Sequence, residues 1–127
     1  MAYTIIGIGN PLLDTTADVE DGFLDEQGFA RGGMHLIDVQ QSARLMQLIR
    51  HRNPSLNPGG SVANALASAV SLGGNALIMG AIGADEFGEE YERLVQGIGI
   101  RSALKRVPEP QGSCTVMITP DRERTMA

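Results

Sequence analysis

The sequence predicts an α/β fold: a parallel sheet layered with helices, accompanied by a small second sheet. Three observations predict it. Strand-like and helix-like stretches alternate through the middle of the chain, the order that builds a parallel sheet. The stretches at 3–9 and 76–82 are apolar runs, as in parallel strands buried on both faces. Residues 13–19, 34–37 and 112–119 read instead as half-exposed strands, which suit a second sheet standing off the main body.

In chain order, the first strand ends at the turn signal Gly9-Asn10-Pro11, and the weak alternation of 13–19 follows. Residues 23–33, punctuated by Gly28, Gly32 and Gly33, read as a loop with one helical turn, and 34–37 as a short strand. Asp38 caps an amphipathic helix running to about His51, which Asn53-Pro54 ends. A helix over 61–72 precedes the 76–82 strand, and an amphipathic helix over 86–96 is stopped by Gly97 and Gly99. Strands are expected at 100–107 and 112–119; in the latter Cys114, Val116 and Ile118 face one way and Thr115, Met117 and Thr119 the other. Pro120-Asp121-Arg122-Glu123 is a hairpin turn into a strand that begins at Arg124. The chain stops as that strand begins, which suggests a truncated chain.

Composition bounds the function. With 127 residues, 43% hydrophobic and 20% charged, the chain suits one globular domain with its own core. Aromatics make up 4% with no Trp, so a stacking platform for single-stranded nucleic acid is not expected. A net charge of -5 and scattered arginines argue against nucleic-acid and anionic-membrane partners. The single cysteine, Cys114, excludes an intramolecular disulfide and suggests a reducing compartment. Neither a signal peptide nor a membrane-length apolar run is present, so the expected location is cytoplasmic.

Two stretches carry chemistry. The first, Gly7 to Asp14, lies at the carboxyl end of the first strand, where open α/β sheets bind ligands. Asp14 can accept hydrogen bonds from two neighbouring hydroxyls of a sugar, and Asn10 offers a donor and an acceptor. Equally, Asp14 can satisfy nearby backbone in a plain strand–turn–strand. A dinucleotide fingerprint does not fit, because the third glycine is missing and Pro11 opposes a helix start.

The second is Asn57-Pro58-Gly59-Gly60-Ser61-Val62-Ala63-Asn64. Its glycines leave amides uncovered where a helix begins, and helix N-termini take polar or anionic ligands. Ser61 is expected to cap the helix, with Asn64, Ser68 and Ser71 following on the same face. Small residues that let a helix pack tightly explain the alanines, though not an Asn beside bare glycine amides. The stretch is not a P-loop, since Gly-Lys-[Ser/Thr] occurs nowhere.

The remaining candidates read as structural. Asp85 is expected to cap the 86–96 helix within Gly80-x-x-Gly83-x-Asp85-x-x-Gly88, and Glu89 to Arg93 to form a solvated face. His51 belongs to an exposed last turn, and His35 lies on a lid strand where a ligand could reach it. No Cys, His or carboxylate cluster has metal-ligand spacing. Cys114 has no local base and reads as a small apolar contact.

Together, Gly7-x-Gly9-Asn10-Pro11-Leu12-Leu13-Asp14, Gly59-Gly60-Ser61-x-x-Asn64 and Gly80-x-x-Gly83-x-Asp85-x-x-Gly88 resemble the ribokinase-like (PfkB) carbohydrate kinases in order and spacing. The Asn-Pro-Leu-Leu-Asp form is most similar to the adenosine kinase branch, as are Gln111-Gly112-Ser113-Cys114 and Arg122 to Met126. Val62 stands where many sugar-kinase members carry a small residue. The resemblance implies a three-layer α/β/α body, with 1–127 as its N-terminal part, and a β-sheet lid with strands near 12–20, 33–38 and 112–119. It implies that Asp14 binds sugar hydroxyls with Asn64 and the Gly59-Gly60-Ser61 backbone, and that Asn10 lies near the pocket. Met34, Leu36 and Cys114 would wall it. The implied reaction is transfer of the ATP γ-phosphoryl group to a primary hydroxyl, with Mg2+ supporting the phosphates. The family's catalytic aspartate lies in a Gly-Ala-Gly-Asp motif that these residues lack, so no catalytic residue and no ATP or magnesium site is expected in this chain, and it should be inactive alone. A sugar or nucleoside is the expected partner, and exposed sheet edges favour self-association. The alternatives are a non-enzymatic small-molecule binding module and a different α/β nucleotide-binding protein.

Overall fold

A computed structural model describes residues 2–127. The chain divides into two compact units, Met1–Leu13 with Asn57–Ser113, and Asp14–Leu56 with Cys114–Ala127. The first unit holds a parallel sheet of β1 (Ile5–Ile8), β4 (Ala76–Gly83) and β5 (Arg101–Val107), in the order β1-β4-β5. Helices α3 (Ser61–Ser71) and α4 (Glu86–Ile98) pack against it, α3 on β1 and β4 and α4 on β4 and β5. Alternation along β4 separates the two faces of the sheet. Ala76, Ile78 and Ile82 are buried with Leu66, Tyr91 and Val95 of the helices, whereas Leu77, Met79 and Ala81 point away and are at least partly exposed.

The expectation that β1 and β4 are buried on both faces does not hold, since Met79 of β4 is 39% exposed. Ile6 is 55% and Ile8 73% exposed. The helix-side residue of β1 is Gly7, over which Val62 and Leu66 of α3 lie, so Ile6 and Ile8 point to the opposite face of the sheet. A Cβ at Gly7 or Gly9 would stand 2.5 Å from a Val62 methyl, so these glycines make room for the bulk at position 62. Ile6 and Ile8 pair with Leu77 and Met79 and share their uncovered face.

The second unit carries α1 (Phe23–Gln27), α2 (Val39–Ile49) and a short 3-10 turn over Arg50–Arg52. Its sheet runs in the order β3-β2-β6-β7, from β3 (Ser55–Gly59), β2 (Leu12–Asp18), β6 (Ser113–Ile118) and β7 (Arg124–Met126). Leu13 N–H donates to Gly112 C=O and Val19 N–H to Ile118 C=O, both at 2.9 Å; the equal steps make β2 and β6 parallel. Ala17, Val19, Phe23, Leu24, Leu45, Ile49 and Met117 form the core. Asp38 caps α2 in a capping box with Gln41, as the sequence predicts. Arg52 lies 4.9 Å over the Phe23 ring and pairs with Glu20 at 2.5 Å.

Four further expectations are corrected. Residues 34–37 are not a strand: only Met34 bridges, to Met126, with His35 N–H donating to Met126 C=O at 2.9 Å. Residues 55–59, for which no strand is expected, form β3, an edge strand that tolerates Pro58. Gly97 does not stop α4, which continues to Ile98 and ends at Gly99 in the left-handed conformation. The Glu89 to Arg93 run is not wholly solvated, because Tyr91 is fully buried. Among the described residues no helix is long and apolar enough to cross a membrane.

Candidate functional site

The nine candidate residues divide between the units. In the first unit, β3 delivers Gly59 to a turn in which Gly60, at φ 98° and ψ 142°, is the N-cap of α3. A Cβ at Gly60 would sit 2.6 Å from the Asn10 carbonyl oxygen, so the turn after β1 and the start of α3 meet at glycine backbone. Tyr91 Oη donates to Gly59 C=O at 2.9 Å in a buried hydrogen bond, which fixes the turn from beneath. Ser61 does not cap the helix; it is the first helical residue, and no side chain caps α3. The first N–H groups of α3 therefore have no capping side chain at the positive end of the helix.

Asn64 N–H donates to Gly60 C=O at 3.0 Å within α3, and the residue is exposed. Ser68 and Ser71 are not equivalent to it. Their hydroxyls donate to Asn64 C=O at 3.1 Å and Ser68 C=O at 2.7 Å, back onto their own helix.

In the second unit, Asp14 of β2 and Cys114 of β6 are half-buried neighbours on one sheet face. Strand alternation puts Thr16, Val116 and Ile118 on that face and Thr15, Thr115 and Met117 inside. Burial pushes the Asp14 carboxyl up from its ordinary value. Burial, and then the Asp14 charge, push the Cys114 thiol up, so it stays protonated and is a poor nucleophile. Met126 pairs with Val116 and bridges Met34, which places Met34 beyond β7, about two strand spacings or ~10 Å from β6. Leu36 is fully exposed and lines a cleft of about 300 Å³ with Phe29, His35, Gln41 and Arg44. His35 stacks on Phe29 at 5.1 Å between centroids. The register puts Arg124, paired with Ile118, on the Asp14 face. That is four residues along β6 from Cys114, about 13 Å.

Sequence reasoning missed two residues. Tyr91 hides in an acidic run, and the signal for it is the helical spacing Gly88, Tyr91, Val95, all buried in α4. Gln111 is buried, and its side chain bonds Gly83 N–H and Pro11 C=O, both at 2.9 Å. It stands in the Gln111-Gly112-Ser113-Cys114 stretch, yet no local pattern shows that its side chain reaches Pro11 and Gly83. Among the described residues, no three His, Cys, Asp or Glu are grouped to hold a metal ion.

The model for the pfkB family of carbohydrate kinases matches residues 33–127. The chain is 26% identical over 118 residues to adenosine kinase 1 of Arabidopsis thaliana, covering 90% of this chain and 34% of that protein. It is 28% identical over 126 residues to adenosine kinase of Saccharomyces cerevisiae, covering 94% and 37%. The crystal structure of Anopheles gambiae adenosine kinase in complex with P1,P4-di(adenosine-5) tetraphosphate superposes with a TM-score of 0.81 at 29% identity, covering 95% of this chain and 37% of that one. The chain thus spans about a third of the length of the curated relatives it matches. The ribokinase-like α/β fold expected from its motifs is the fold of these structures, and the chain belongs to the pfkB family of carbohydrate kinases.

Proposed function

We propose that this chain supplies acceptor-binding elements of an ATP-dependent nucleoside kinase, with an adenosine-like nucleoside as the favoured acceptor. One observation carries the reading: in the second unit Asp14 is a half-buried carboxylate beside the neutral Cys114, and in the first unit the candidates Asn10, Gly59, Gly60, Ser61 and Asn64 bear no charge. Such a set suits hydroxyls better than phosphate. Asp14 accepts from neighbouring sugar hydroxyls, Asn64 and the open amides after Gly60 bind further hydroxyl oxygens, and Asn10 lends a donor and an acceptor. Met34, Leu36 and Cys114 give apolar contact. The kinship with adenosine kinases favours a nucleoside over a free sugar.

In the reaction, a primary hydroxyl attacks the γ-phosphorus of ATP, the bond from that phosphorus to the bridging oxygen breaks, and ADP leaves as the hydroxyl proton passes to a base. This chain holds the acceptor in that scheme. It supplies neither the base nor a phosphate cradle, and no step is assigned to ATP or magnesium on its residues. Alone it is inactive. The unpaired Cys114 suits a reducing, cytoplasmic setting. The uncovered apolar face of β1 and β4 favours pairing of two copies.

Isothermal titration with adenosine, ribose and AMP tests the reading. Binding of adenosine, weaker binding of ribose and weakened binding of AMP is the expected order. Tighter binding of AMP than of adenosine overturns it. Formation of AMP from adenosine and ATP by the chain alone would overturn its inactivity.

A further inference from the structure

Pro11 has no N–H, so its carbonyl is its only backbone hydrogen-bonding group. Gln111, a hundred residues later, meets it. Nε2 of Gln111 donates to Pro11 C=O at 2.9 Å and to Gly112 C=O at 3.1 Å, and Oε1 accepts from Gly83 N–H at 2.9 Å. The Gln111 backbone N–H donates to Asp85 Oδ2 at 3.0 Å, and Oδ1 of the same carboxylate accepts from Gly88 N–H at 2.8 Å. The residue is 8% exposed, and the donors and the acceptor of its side chain face different segments. With an N–H on one side and two carbonyls on the other, the amide fits in one orientation only. A single buried residue thus ties the end of β4, the start of β6 and the Asn10–Pro11 turn together, anchored in turn by the cap of α4.

The same turn is met on another side by Gly60, which packs against the Asn10 carbonyl. We propose that Gln111 is a positioning residue for the acceptor: through Pro11 it holds the turn that presents Asn10 against the start of α3. The role rests on the nucleoside reading above and adds to it the residue that sets the geometry of the turn. Groups that bind a ligand hold their geometry only when buried neighbours lock them, and a buried amide with every partner satisfied is such a lock.

Two variants test it. Gln111→Met keeps the volume and removes both arms, whereas Gln111→Glu keeps the acceptor for Gly83 and loses the donor to Pro11. Adenosine affinity is measured by titration calorimetry well below the unfolding temperature of each variant, alongside amide hydrogen exchange at Gly83 and Leu13. The expected result is about a tenfold loss of affinity in both variants, equivalent to about 1.4 kcal/mol for the lost bond. Gly83 exchange should speed up in the Met variant and stay slow in the Glu variant. Unchanged affinity with a lowered unfolding temperature overturns the positioning role and leaves a purely structural one. Unchanged Gly83 exchange in the Met variant overturns the clamp itself. If the unmodified chain takes up no adenosine, the nucleoside reading falls and this role with it, while the Gly83 exchange still reports separately whether the clamp exists.

Discussion

Gly60 and the Asn10 carbonyl approach so closely that a Cβ at position 60 would stand 2.6 Å from that oxygen, a distance at which backbone must move. The φ of 98° at Gly60 adds a second restriction, since L side chains rarely adopt it. Gly60→Ala should therefore cost about 2 kcal/mol of stability from strain alone. Urea unfolding measures it. A loss below about 0.5 kcal/mol, the size of an ordinary surface change, would mean that the turn relaxes freely.

Asp14 predicts a pH dependence. Its folded-state carboxyl is raised by burial, so the ionised group costs folding stability at pH above its folded value, and the cost disappears as pH falls below the unfolded value. Binding runs the other way, because only the ionised carboxylate accepts from two hydroxyls. Adenosine affinity should decline on acidification, starting at a higher pH than an ordinary aspartate would give. In Asp14→Asn the decline should vanish together with most of the affinity. A titration series across pH checks both, and an unchanged decline in the Asn variant would remove Asp14 from the site.

Thr15 is 1% exposed, and its hydroxyl is the buried side-chain group without a hydrogen-bond partner among the described residues. Leaving such a group unpaired costs about 1–3 kcal/mol. Thr15→Val has nearly the same shape and no hydroxyl, and should raise stability by about 1 kcal/mol. Thermal unfolding reads the change. A destabilised Val variant would show that the hydroxyl is satisfied.

Ile6 and Ile8 predict association. Sedimentation of the chain should show dimers or larger species, and Ile8→Lys, which places a charge on that face at a 73% exposed position, should shift the population toward monomer. A monomer in both proteins would end the self-association proposal.

Much of the local structure was legible because its causes are local. The capping box of Asp38 and Gln41, the Asp85 cap and the left-handed glycine after α4 all act within one helical turn. The alternation in β6 shows which residues turn inward, and Thr115 and Met117 are buried as it requires. Residues 34–37 look like a strand by composition, yet they share with β7 a single bridge, made by Met126 N–H to Gly33 C=O and His35 N–H to Met126 C=O. β3 went unread because Pro58 and Gly59 mark turns, and an edge strand escapes the ladder hydrogen bond that proline cannot give.

The candidate residues were chosen where residue type restricts chemistry: a carboxylate beyond the first strand, glycines before a helix, an Asn one turn in. Element types, turn glycines and membership of the family follow from such short-range patterns, since propensity, capping and turn chemistry act over a few residues. Burial and partnership do not. That β1 is an edge strand, that Tyr91 Oη reaches Gly59, and that Gln111 holds Pro11 across a hundred residues were decided by tertiary structure. Each depends on which distant segments the fold packs side by side, and hydrophobic burial, being non-directional, writes no local signature of its partner.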